Sequence, residues 1–312
     1  DLFQKEENME KCKKIWMNGE MIDWDKAQVH ILTHALHYGT SVFEGIRCYE
    51  TENGPAVFRL KEHIDRLFAG CHAYRMKIPY EKEKIISAIC ELIKENELKS
   101  GYIRPIAYVG YKEMGLFPLN NPIDVAIAVW PWGTYLGEEG LKNGIRCKVS
   151  SWLRIDSRIL PPQVKCSANY ANSVLAKIEA LDCGYNEAIQ LNLAGFVAEG
   201  PGENIFLIKN GALITPSEDA GALYGITAQS AMAIAKDFGI DCLKRNLLRE
   251  ELFSADELFF TGTAAEITPI REVDGRVIGE GNRGEITRKI QEKFFEVVKG
   301  KDPSYHSWLT FA

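Results

Sequence analysis

The apolar residues of this chain change their spacing near Leu60, and that change constrains the fold more than any other feature of the sequence. Before it they occur in short runs separated by turn residues, as in Trp16–Trp24, where Asn18-Gly19 is suited to a tight hairpin turn. From Leu60 they recur at three- and four-residue spacing, the pattern of a helix with one buried face. Strands followed by helices in one stretch of chain predict a compact α+β domain.

The same patterns divide the chain into two predicted domains. At 312 residues it exceeds the size at which one hydrophobic core keeps growing. We expect a smaller domain over residues 1–128, with 1–8 as a flexible extension, a Gly- and Pro-rich connector over 129–140, and a larger domain over 141–312. The predicted strands are 42–49, 56–59, 102–109, 124–130, 146–151, 187–191 and 205–209. The predicted helices start at Leu60 and further span 82–94, 172–180, 227–238 and 283–299.

Composition and charge argue against several classes of function. The net charge of −6 and a pI near 5.7 argue against nucleic acid as a partner, because phosphate backbones are bound through clustered Lys and Arg. No apolar run approaches the roughly 18 residues of a membrane-spanning helix. The eight cysteines are scattered without a C-x-x-C pair. We therefore expect a soluble, cytoplasmic protein with reduced thiols.

Metal binding is not expected either. His30, His34 and His37 have helical spacing, but no neighbouring cysteine or carboxylate completes a metal site. We interpret them as core or surface histidines.

A lysine and a downstream acidic turn are the candidates for chemistry. Lys165 lies within Leu160–Tyr170, and Glu199 opens the turn Glu199–Asn204 (EGPGEN). An amine gains catalytic use when it binds a carbonyl cofactor, and a carboxylate keeps a ring nitrogen protonated so that the ring accepts electrons. This pair of residues points to pyridoxal phosphate. The lysine must also be neutral once released, which nearby positive charge and partial burial favour.

Three segments are candidates for binding the phosphate of such a cofactor. Leu223–Thr227 runs into a predicted helix whose N-terminal N–H groups and dipole favour an anion, although Thr227 is as well suited to be the helix N-cap. The turn Gly262–Glu266 offers amides and hydroxyls, but it is equally consistent with an ordinary turn. Arg66 is the third candidate, with a surface ion pair to Glu62 as the alternative.

Taken together, these segments resemble the branched-chain amino acid aminotransferases, fold-type IV enzymes that use pyridoxal 5'-phosphate. The resemblance extends from Ile15 to about Leu309, and its motifs are numerous and occur in the family's order. They are His37–Arg47 (HYGTSVFEGIR), Glu62–Leu67 (EHIDRL), Tyr102–Pro105 (YIRP), Lys165 with Asn169-Tyr170, Glu199–Asn204, Gly225–Thr227 (GIT) and Gly262–Glu266 (GTAAE). The resemblance implies a two-domain α+β enzyme, with a smaller N-terminal α/β sandwich and a larger C-terminal pseudo-barrel flanked by helices.

The resemblance also implies which residues would bind the cofactor. Lys165 would bind its aldehyde covalently and later move the substrate proton, and Glu199 would pair with the ring nitrogen. Tyr170 would hydrogen-bond the 3-oxygen of the ring, and Leu223 would pack on the ring. The phosphate would be held by Arg66, Ile226, Thr227 and Thr263.

Substrate-binding roles follow from the same resemblance. The apolar surfaces suited to Leu, Ile or Val are Phe43, Trp132, Tyr135 and Tyr170. Arg104 matches the residue that binds the γ-carboxylate of glutamate, while Tyr102 and the turn Thr263-Ala264 would hold the α-carboxylate. Tyr38 and Arg47 would lie at the rim of the site or at a subunit boundary, with Tyr38 reaching a neighbouring subunit. The chain is therefore expected to form a homo-oligomer, at least a dimer, with a hexamer as the larger alternative.

The implied reaction is a ping-pong transfer of an amino group between L-leucine, L-isoleucine or L-valine and 2-oxoglutarate. A D-amino acid transaminase, an (R)-amine transaminase or an aminodeoxychorismate lyase would share Lys165, Glu199 and the phosphate-binding residues, so these stay alternatives. Tyr102–Pro105 and Phe43–Arg47 favour the branched-chain interpretation. A non-catalytic protein that binds pyridoxal phosphate is the alternative from another class, and the presence of both Lys165 and Glu199 argues against it.

Overall fold

The structure is a computed structural model that describes residues 10–133 and 135–312. The predicted flexible extension, residues 1–8, lies outside the described residues. The described chain divides into two compact units. The first unit consists of residues 10–133, 164–168 and 297–312, and the second unit of residues 135–163 and 169–296.

Both units contain helices and strands, which confirms the predicted α+β class. Residues 10–133 form β1 (Lys14–Met17), β2 (Glu20–Asp23), α1 (His34–Tyr38), β3 (Ser41–Phe43), β4 (Ile46–Thr51), β5 (Gly54–Phe58), α2 (Leu60–Ala73), α3 (Lys82–Glu95), β6 (Gly101–Val109) and β7 (Ile123–Trp130). Residues 135–312 form α4 (Gly137–Asn143), β8 (Ile145–Val149), α5 (Ser167–Asp182), β9 (Glu187–Leu191), β10 (Val197–Glu199), β11 (Asn204–Lys209), β12 (Ala212–Thr215), α6 (Ile226–Asp237), β13 (Cys242–Lys244), α7 (Arg249–Phe253), β14 (Glu257–Gly262), β15 (Glu266–Val273), β16 (Arg276–Val277), α8 (Glu285–Val298) and β17 (Leu309–Phe311).

The first unit is built on one antiparallel sheet. Its strand order is β17, β5, β4, β6, β7, β1, β2, with β3 paired to β6. The β1–β2 hairpin turns at Asn18 and Gly19, whose φ angles of 50° and 100° confirm the predicted tight turn. Residues Ile64 of α2 and Ile89 of α3 are fully buried in one core with sheet residues such as Ile103. The apolar faces predicted from the helical spacing thus pack in the core of this unit.

The predicted strand 42–49 is wrong in one respect, because the structure interrupts it at Glu44 and Gly45. Its two halves, β3 and β4, both pair with β6 but at separate positions. At the interruption the N–H of Phe43 donates to the carbonyl oxygen of Lys165 at 3.0 Å, and the N–H of Glu44 donates to that of Pro105 at 2.9 Å. The register with β6 is the same on both sides of the break, and the backbone of Lys165 binds the opposite edge of β3.

The second unit contains a mixed sheet of nine strands. Its order is β10, β9, β8, β15, β14, β11, β12, β13, with β16 paired to β15. The parallel pairs are β8–β9, β8–β15 and β12–β13. Phe206 and Phe259 stack in its fully buried interior with ring centroids 5.1 Å apart. Two predicted functional turns begin where strands of this sheet end, at Glu199 of β10 and Gly262 of β14.

The predicted connector, residues 129–140, contains regular structure at both ends. Strand β7 continues to Trp130, and α4 begins at Gly137. The helix was not predicted because Gly137 and Gly140 have low helix propensity, but Glu138 and Glu139 in its first turn favour it. The predicted limits of the two domains, 1–128 and 141–312, stay predictions that limited proteolysis would test.

None of the helices within residues 10–133 and 135–312 combines the length and the apolar character that crossing a bilayer requires.

Candidate functional site

Lys165 lies in the short segment 164–168 of the first unit, and β3 fixes its position. Its carbonyl oxygen accepts the N–H of Phe43, and the next residue, Cys166, forms an isolated bridge with Val42. The Nζ atom of Lys165 lies 5.0 Å from the centroid of the Phe43 ring. The electron-rich face of that ring attracts a cation. The backbone of Lys165 is therefore fixed by β3, and its amine lies beside an aromatic ring.

Arg66 is held by a buried carboxylate that sequence analysis did not single out. Its Nε and Nη2 atoms donate to the two carboxylate oxygens of Glu44 at 2.6 and 2.9 Å. Burial would raise the pKa of Glu44, but the charge of Arg66 and the contact with His63 outweigh it and hold this pKa far below its usual value. Glu62 pairs with Arg59 at 2.7 Å, so the predicted alternative of an Arg66–Glu62 surface pair is wrong.

The third member of this cluster is a neutral histidine. The Nδ1 atom of His63 lies 2.7 Å from Glu44 Oε2. Burial lowers the pKa of His63, although the charge of Glu44 opposes the shift. The ring is therefore neutral at pH 7, and Nδ1 carries the hydrogen that it donates to Glu44. Glu44 and His63 together fix the orientation of the Arg66 guanidinium.

Four predicted substrate-binding residues of the first unit are linked by a chain of contacts. The Cζ atom of Arg104 lies 4.7 Å from the centroid of the Phe43 ring and 5.3 Å from that of Tyr102. The rings of Tyr102 and Trp132 meet edge to face at 4.4 Å. A Cβ atom at Gly45 would lie 1.9 Å from the Tyr102 hydroxyl oxygen, so this close approach requires glycine.

Arg104 also has a donor suited to an anion. Its Nε atom is buried and has no hydrogen-bond partner among the residues that the structure describes. Buried donors without a partner are rare in folded proteins, and each calls for an explanation. A carboxylate ligand would supply the missing acceptor.

Arg47 and Tyr38, both expected near the rim of the site, have different environments. Arg47 is 7% exposed, and its Nη2 atom donates to the carbonyl oxygens of Gly133 at 2.7 Å and Trp132 at 3.2 Å. It thus holds the backbone that carries Trp132. Tyr38 is 40% exposed, and its ring centroid lies 4.4 Å from that of His34.

Glu199, in the second unit, is a buried carboxylate with donors from three separate segments. Its Oε1 atom forms an ion pair with Nε of Arg154 at 2.8 Å. Its Oε2 atom accepts the N–H of Leu223 at 2.8 Å and Nδ2 of Asn204 at 3.3 Å. A carboxylate this deeply buried keeps its charge only with such partners. Arg154 was not predicted, because no motif marks its local sequence.

The N-terminus of α6 follows Leu223, whose backbone N–H donates to Glu199. Gly225 is the N-cap of this helix, so the alternative in which Thr227 is the N-cap is wrong. A Cβ atom at Gly225 would lie 1.9 Å from Asn204 Oδ1, and only glycine fits there. Ile226 and Thr227 are both buried in the first turn, where backbone N–H groups have no partner within the helix. These groups suit an anion.

The other predicted residues of the second unit lie on two further elements. Thr263 and Ala264 are half-buried in the turn after β14, and Tyr170 is half-buried in the first turn of α5. Tyr135 and Ala264 both line one narrow crevice of this unit. Two residues predicted to contact substrate thus lie near each other.

The predicted site residues form two groups, one in each unit. The first unit holds Tyr38, Phe43, Arg47, Arg66, Tyr102, Arg104, Trp132 and Lys165. The second unit holds Tyr135, Tyr170, Glu199, Leu223, Ile226, Thr227, Thr263 and Ala264. Their chemistry fits pyridoxal phosphate, with an amine for the aldehyde, a carboxylate for the ring nitrogen, and a guanidinium and helix N-terminal N–H groups for the phosphate.

A further buried carboxyl group supports the turn that follows Glu199. Burial, and after it the charge of Glu187, raise the pKa of Glu203 to about 8, so this carboxyl is protonated at pH 7. Its Oε2 atom accepts the N–H of Gly202 at 3.0 Å. Glu187 is itself buried and pairs with Lys177 at 2.6 Å.

Comparison with known proteins gives concordant results. Residues 41–273 match the family model for amino-transferase class IV. The branched-chain-amino-acid aminotransferase of Pseudomonas aeruginosa is 46% identical over 296 residues, which cover 95% of this chain and 96% of that protein. The crystal structure of the branched-chain amino acid aminotransferase of Escherichia coli superimposes with a TM-score of 0.94, at 46% identity, over 96% of this chain and 99% of that one. A crystal structure of a T.th. branched-chain amino acid aminotransferase complexed with N-(5'-phosphopyridoxyl)-L-glutamate gives a TM-score of 0.92, at 45% identity, with the same coverage.

We expect Glu203→Gln to change how stability depends on pH. Unfolded Glu203 loses its proton near pH 4.5 and the folded residue near pH 8, so the stability that the neutral carboxyl contributes is lost as pH rises between these values. The variant stays neutral throughout, and its free energy of unfolding relative to wild type should rise by about 2–4 kcal/mol from pH 5 to pH 8. Urea denaturation at fixed protein concentration measures this difference. Glu280→Gln, at an exposed position, is the control, and parallel pH curves for wild type and Glu203→Gln would contradict the assignment.

Proposed function

The chain belongs to the class IV aminotransferase family, and from this membership we propose that it is a branched-chain amino acid aminotransferase. It exchanges an amino group between L-leucine, L-isoleucine or L-valine and 2-oxoglutarate in a ping-pong sequence, with pyridoxal 5'-phosphate as its cofactor. The observation that carries this proposal is the nearly full-length similarity to enzymes of that name.

When bound, pyridoxal phosphate supplies an electron-accepting ring that stabilises the negative charge left when a substrate Cα–H bond breaks. Lys165 binds the aldehyde and moves the Cα proton with Nζ. Glu199 holds the proton on the ring nitrogen, a role supported by its ion pair with Arg154. Tyr170 would hold the 3-oxygen of the ring by a hydrogen bond, and Leu223 would pack on the ring.

The phosphate is held by a guanidinium and by the first turn of α6. Arg66 suits this role because Glu44 and His63 fix its orientation in advance, which lowers the entropy lost on binding. The N–H groups at Ile226 and Thr227 add the favourable end of the helix dipole. The Thr263 hydroxyl, in the turn after β14, supplies a further donor.

The substrate pocket must accept an aliphatic side chain and the γ-carboxylate of glutamate in turn. Phe43, Trp132, Tyr135 and Tyr170 provide the apolar surface, on which each buried methylene contributes about 0.8 kcal/mol. Arg104 binds the γ-carboxylate, and the buried Nε donor supports this role. Tyr102 and the turn Thr263-Ala264 hold the α-carboxylate.

We also propose that a homo-oligomer, at least a dimer, forms through an apolar patch on the first unit. The patch consists of Ile31, Leu36, Met114, Leu116 and Phe117, all of them exposed. Leu116 is 89% exposed and Ile31 72%. Exposed apolar surface of this kind is typical of an interface, and a second copy of the chain is the partner that the expected homo-oligomer supplies.

Two contacts hold the segments of this patch together as one surface. The rings of His30 and Tyr111 stack with centroids 4.1 Å apart, and His34 Nε2 lies 2.7 Å from the carbonyl oxygen of Gly115. Tyr38 is in the same helix, α1, as Leu36. An interface here would carry Tyr38 toward the partner's site, as the resemblance implies.

We further propose a cytoplasmic location. All eight cysteines are free thiols, which supports a reducing compartment. A disulfide found by mass spectrometry in protein isolated from its own cells would contradict this location.

The function is tested by a half-reaction screen that follows the visible absorption of the bound cofactor. L-leucine, L-isoleucine and L-valine should bleach this absorption in the protein loaded with pyridoxal phosphate, and 2-oxoglutarate should restore it. Lys165→Ala should abolish the change, whereas the control Lys142→Ala, at an exposed position, should leave it intact. Faster bleaching by D-amino acids or (R)-amines would favour those transaminases instead. A protein that binds the cofactor but responds to no amine would be a binding protein.

We expect Arg104→Ala to separate the two substrates. A charge-assisted hydrogen bond contributes about 1.5–3 kcal/mol, so kcat/KM for 2-oxoglutarate should fall roughly ten- to hundredfold. The half-reaction with leucine should change by less than about threefold, because leucine has no γ-carboxylate. Arg104→Lys keeps the charge without the planar fork and should be intermediate. Equal losses for both substrates in single-turnover kinetics would exclude the γ-carboxylate role.

We expect Leu116→Asp to lower the mass of the oligomer. A charge at an 89%-exposed position costs little in the isolated chain but is strongly unfavourable in an apolar interface. Light scattering after size-exclusion chromatography measures the change and also distinguishes a dimer from a hexamer. Val277→Asp is the matched control, since Val277 is also exposed but lies outside the patch. An unchanged mass for Leu116→Asp would exclude this patch as the interface.

A further inference from the structure

One arginine outside the predicted site contacts the carboxylate proposed to face the cofactor. Arg154 lies between β8 and α5, and its N–H donates to the carbonyl oxygen of Leu191 at the end of β9, 2.8 Å away. Its Nε atom forms the ion pair with Glu199 at 2.8 Å, and both side chains are only 6% exposed. The Nη1 atom lies 3.4 Å from Ser173 Oγ of α5. The guanidinium is therefore anchored from several sides rather than free to move.

Two hydrogen-bond donors of Glu199 carry no charge. Leu223 donates a backbone N–H, and Asn204 donates a side-chain amide, so both are neutral. Glu203, the further titratable group that interacts with Glu199, is protonated at pH 7 and contributes no charge. Arg154, paired at 2.8 Å, is thus a cation in direct contact that compensates the buried carboxylate.

We propose that Arg154 is a positioning residue that keeps Glu199 ionised and oriented for the cofactor's ring nitrogen, an inference that rests on the proposed function of Glu199. Without the guanidinium, a carboxyl group in such a buried position binds a proton instead of remaining charged. A neutral carboxyl does not act as the counterion of a protonated ring nitrogen. The rate of Cα proton removal then falls, while substrate binding is preserved.

The first arm of the test uses the protein without cofactor and therefore does not depend on activity. In Arg154→Met, folded Glu199 keeps a proton that unfolded Glu199 releases near pH 4.3. The stability of the variant relative to wild type should accordingly fall as pH rises from 5 to 8, which thermal unfolding measures. In Arg154→Met/Glu199→Gln this pH dependence should disappear. A loss of stability that is the same at every pH would show that Arg154 only holds its loop in place and would overturn the inference.

The second arm measures the leucine half-reaction of the cofactor-loaded enzyme. For Arg154→Met, kcat should be about 30-fold below wild type at pH 6.5, as is usual when a partner of a catalytic group is removed, and should recover toward wild type by pH 9 as Glu199 loses its proton. KM should change little. Arg154→Lys keeps a cation and should show no such recovery, because it loses little activity at pH 6.5. An Arg154→Met deficit that is equal at both pH values would overturn the inference.

A matched control lies in the same loop. Arg158 pairs with Asp156 at 2.7 Å, but its side chain is 78% exposed. Arg158→Met should leave both pH profiles unchanged, and a loss there equal to that of Arg154→Met would point to a general effect of loop charge and count against Arg154. A wild-type protein that converts no amine would overturn the proposed function and the catalytic part of the inference together. Flat pH profiles in an active protein would overturn the inference alone.

Discussion

A buried carboxylate must have its charge balanced, and in each unit of this protein the candidate site is arranged around one such group. In the first unit Glu44 is fully buried and holds Arg66 through two hydrogen bonds. In the second unit Glu199 is held by Arg154 and by N–H donors from two further segments. Desolvating an ion is costly unless its partners are fixed at the right distance. The same requirement that stabilises each pair therefore fixes the orientation of the groups that a cofactor would meet.

The edge of β3 that faces away from β6 shows how the backbone serves this arrangement. The N–H of Glu44 donates to Pro105 of β6, whereas the N–H of the preceding residue, Phe43, points to the opposite edge of β3 and binds the carbonyl oxygen of Lys165. The Phe43 ring lies near both Lys165 Nζ and the Arg104 guanidinium. The next residue supplies the carboxylate for Arg66. Two consecutive residues thus position three cationic groups, and a displacement of β3 would move all of them together.

Local sequence rules predicted the regular elements of the fold well and the long-range partners of the site poorly. The spacing of apolar residues identified α2, α3 and α6, because packing against a core imposes that period on any amphipathic helix. Short or solvent-exposed strands such as β13, β16 and β17 carry too few alternating residues to be recognised.

The candidate residues Lys165, Arg66 and Glu199 were identified through motifs that the family shares. Glu44 lies inside one of those motifs, but its partners are about twenty residues away in sequence, and Arg154 lies in no motif. Arg66 itself illustrates the limit, since the i, i+4 spacing gave Glu62 as its alternative partner, whereas the structure pairs it with the buried, distant Glu44.

Under the proposed function, the environment of Arg104 would let one pocket accept leucine and then glutamate. A bare cation in an apolar pocket would repel an aliphatic side chain by demanding hydration, and a pocket without a cation would not bind the γ-carboxylate. Here the guanidinium lies near the rings of Phe43 and Tyr102, which stabilise its charge through their electron-rich faces while presenting apolar surface. Arg suits this position better than Lys, since its planar and weakly hydrated group stacks on rings and still offers donors at its edge. In the proposed pocket, these aromatic neighbours would stabilise the charge while leucine is bound and would leave it available when glutamate replaces leucine.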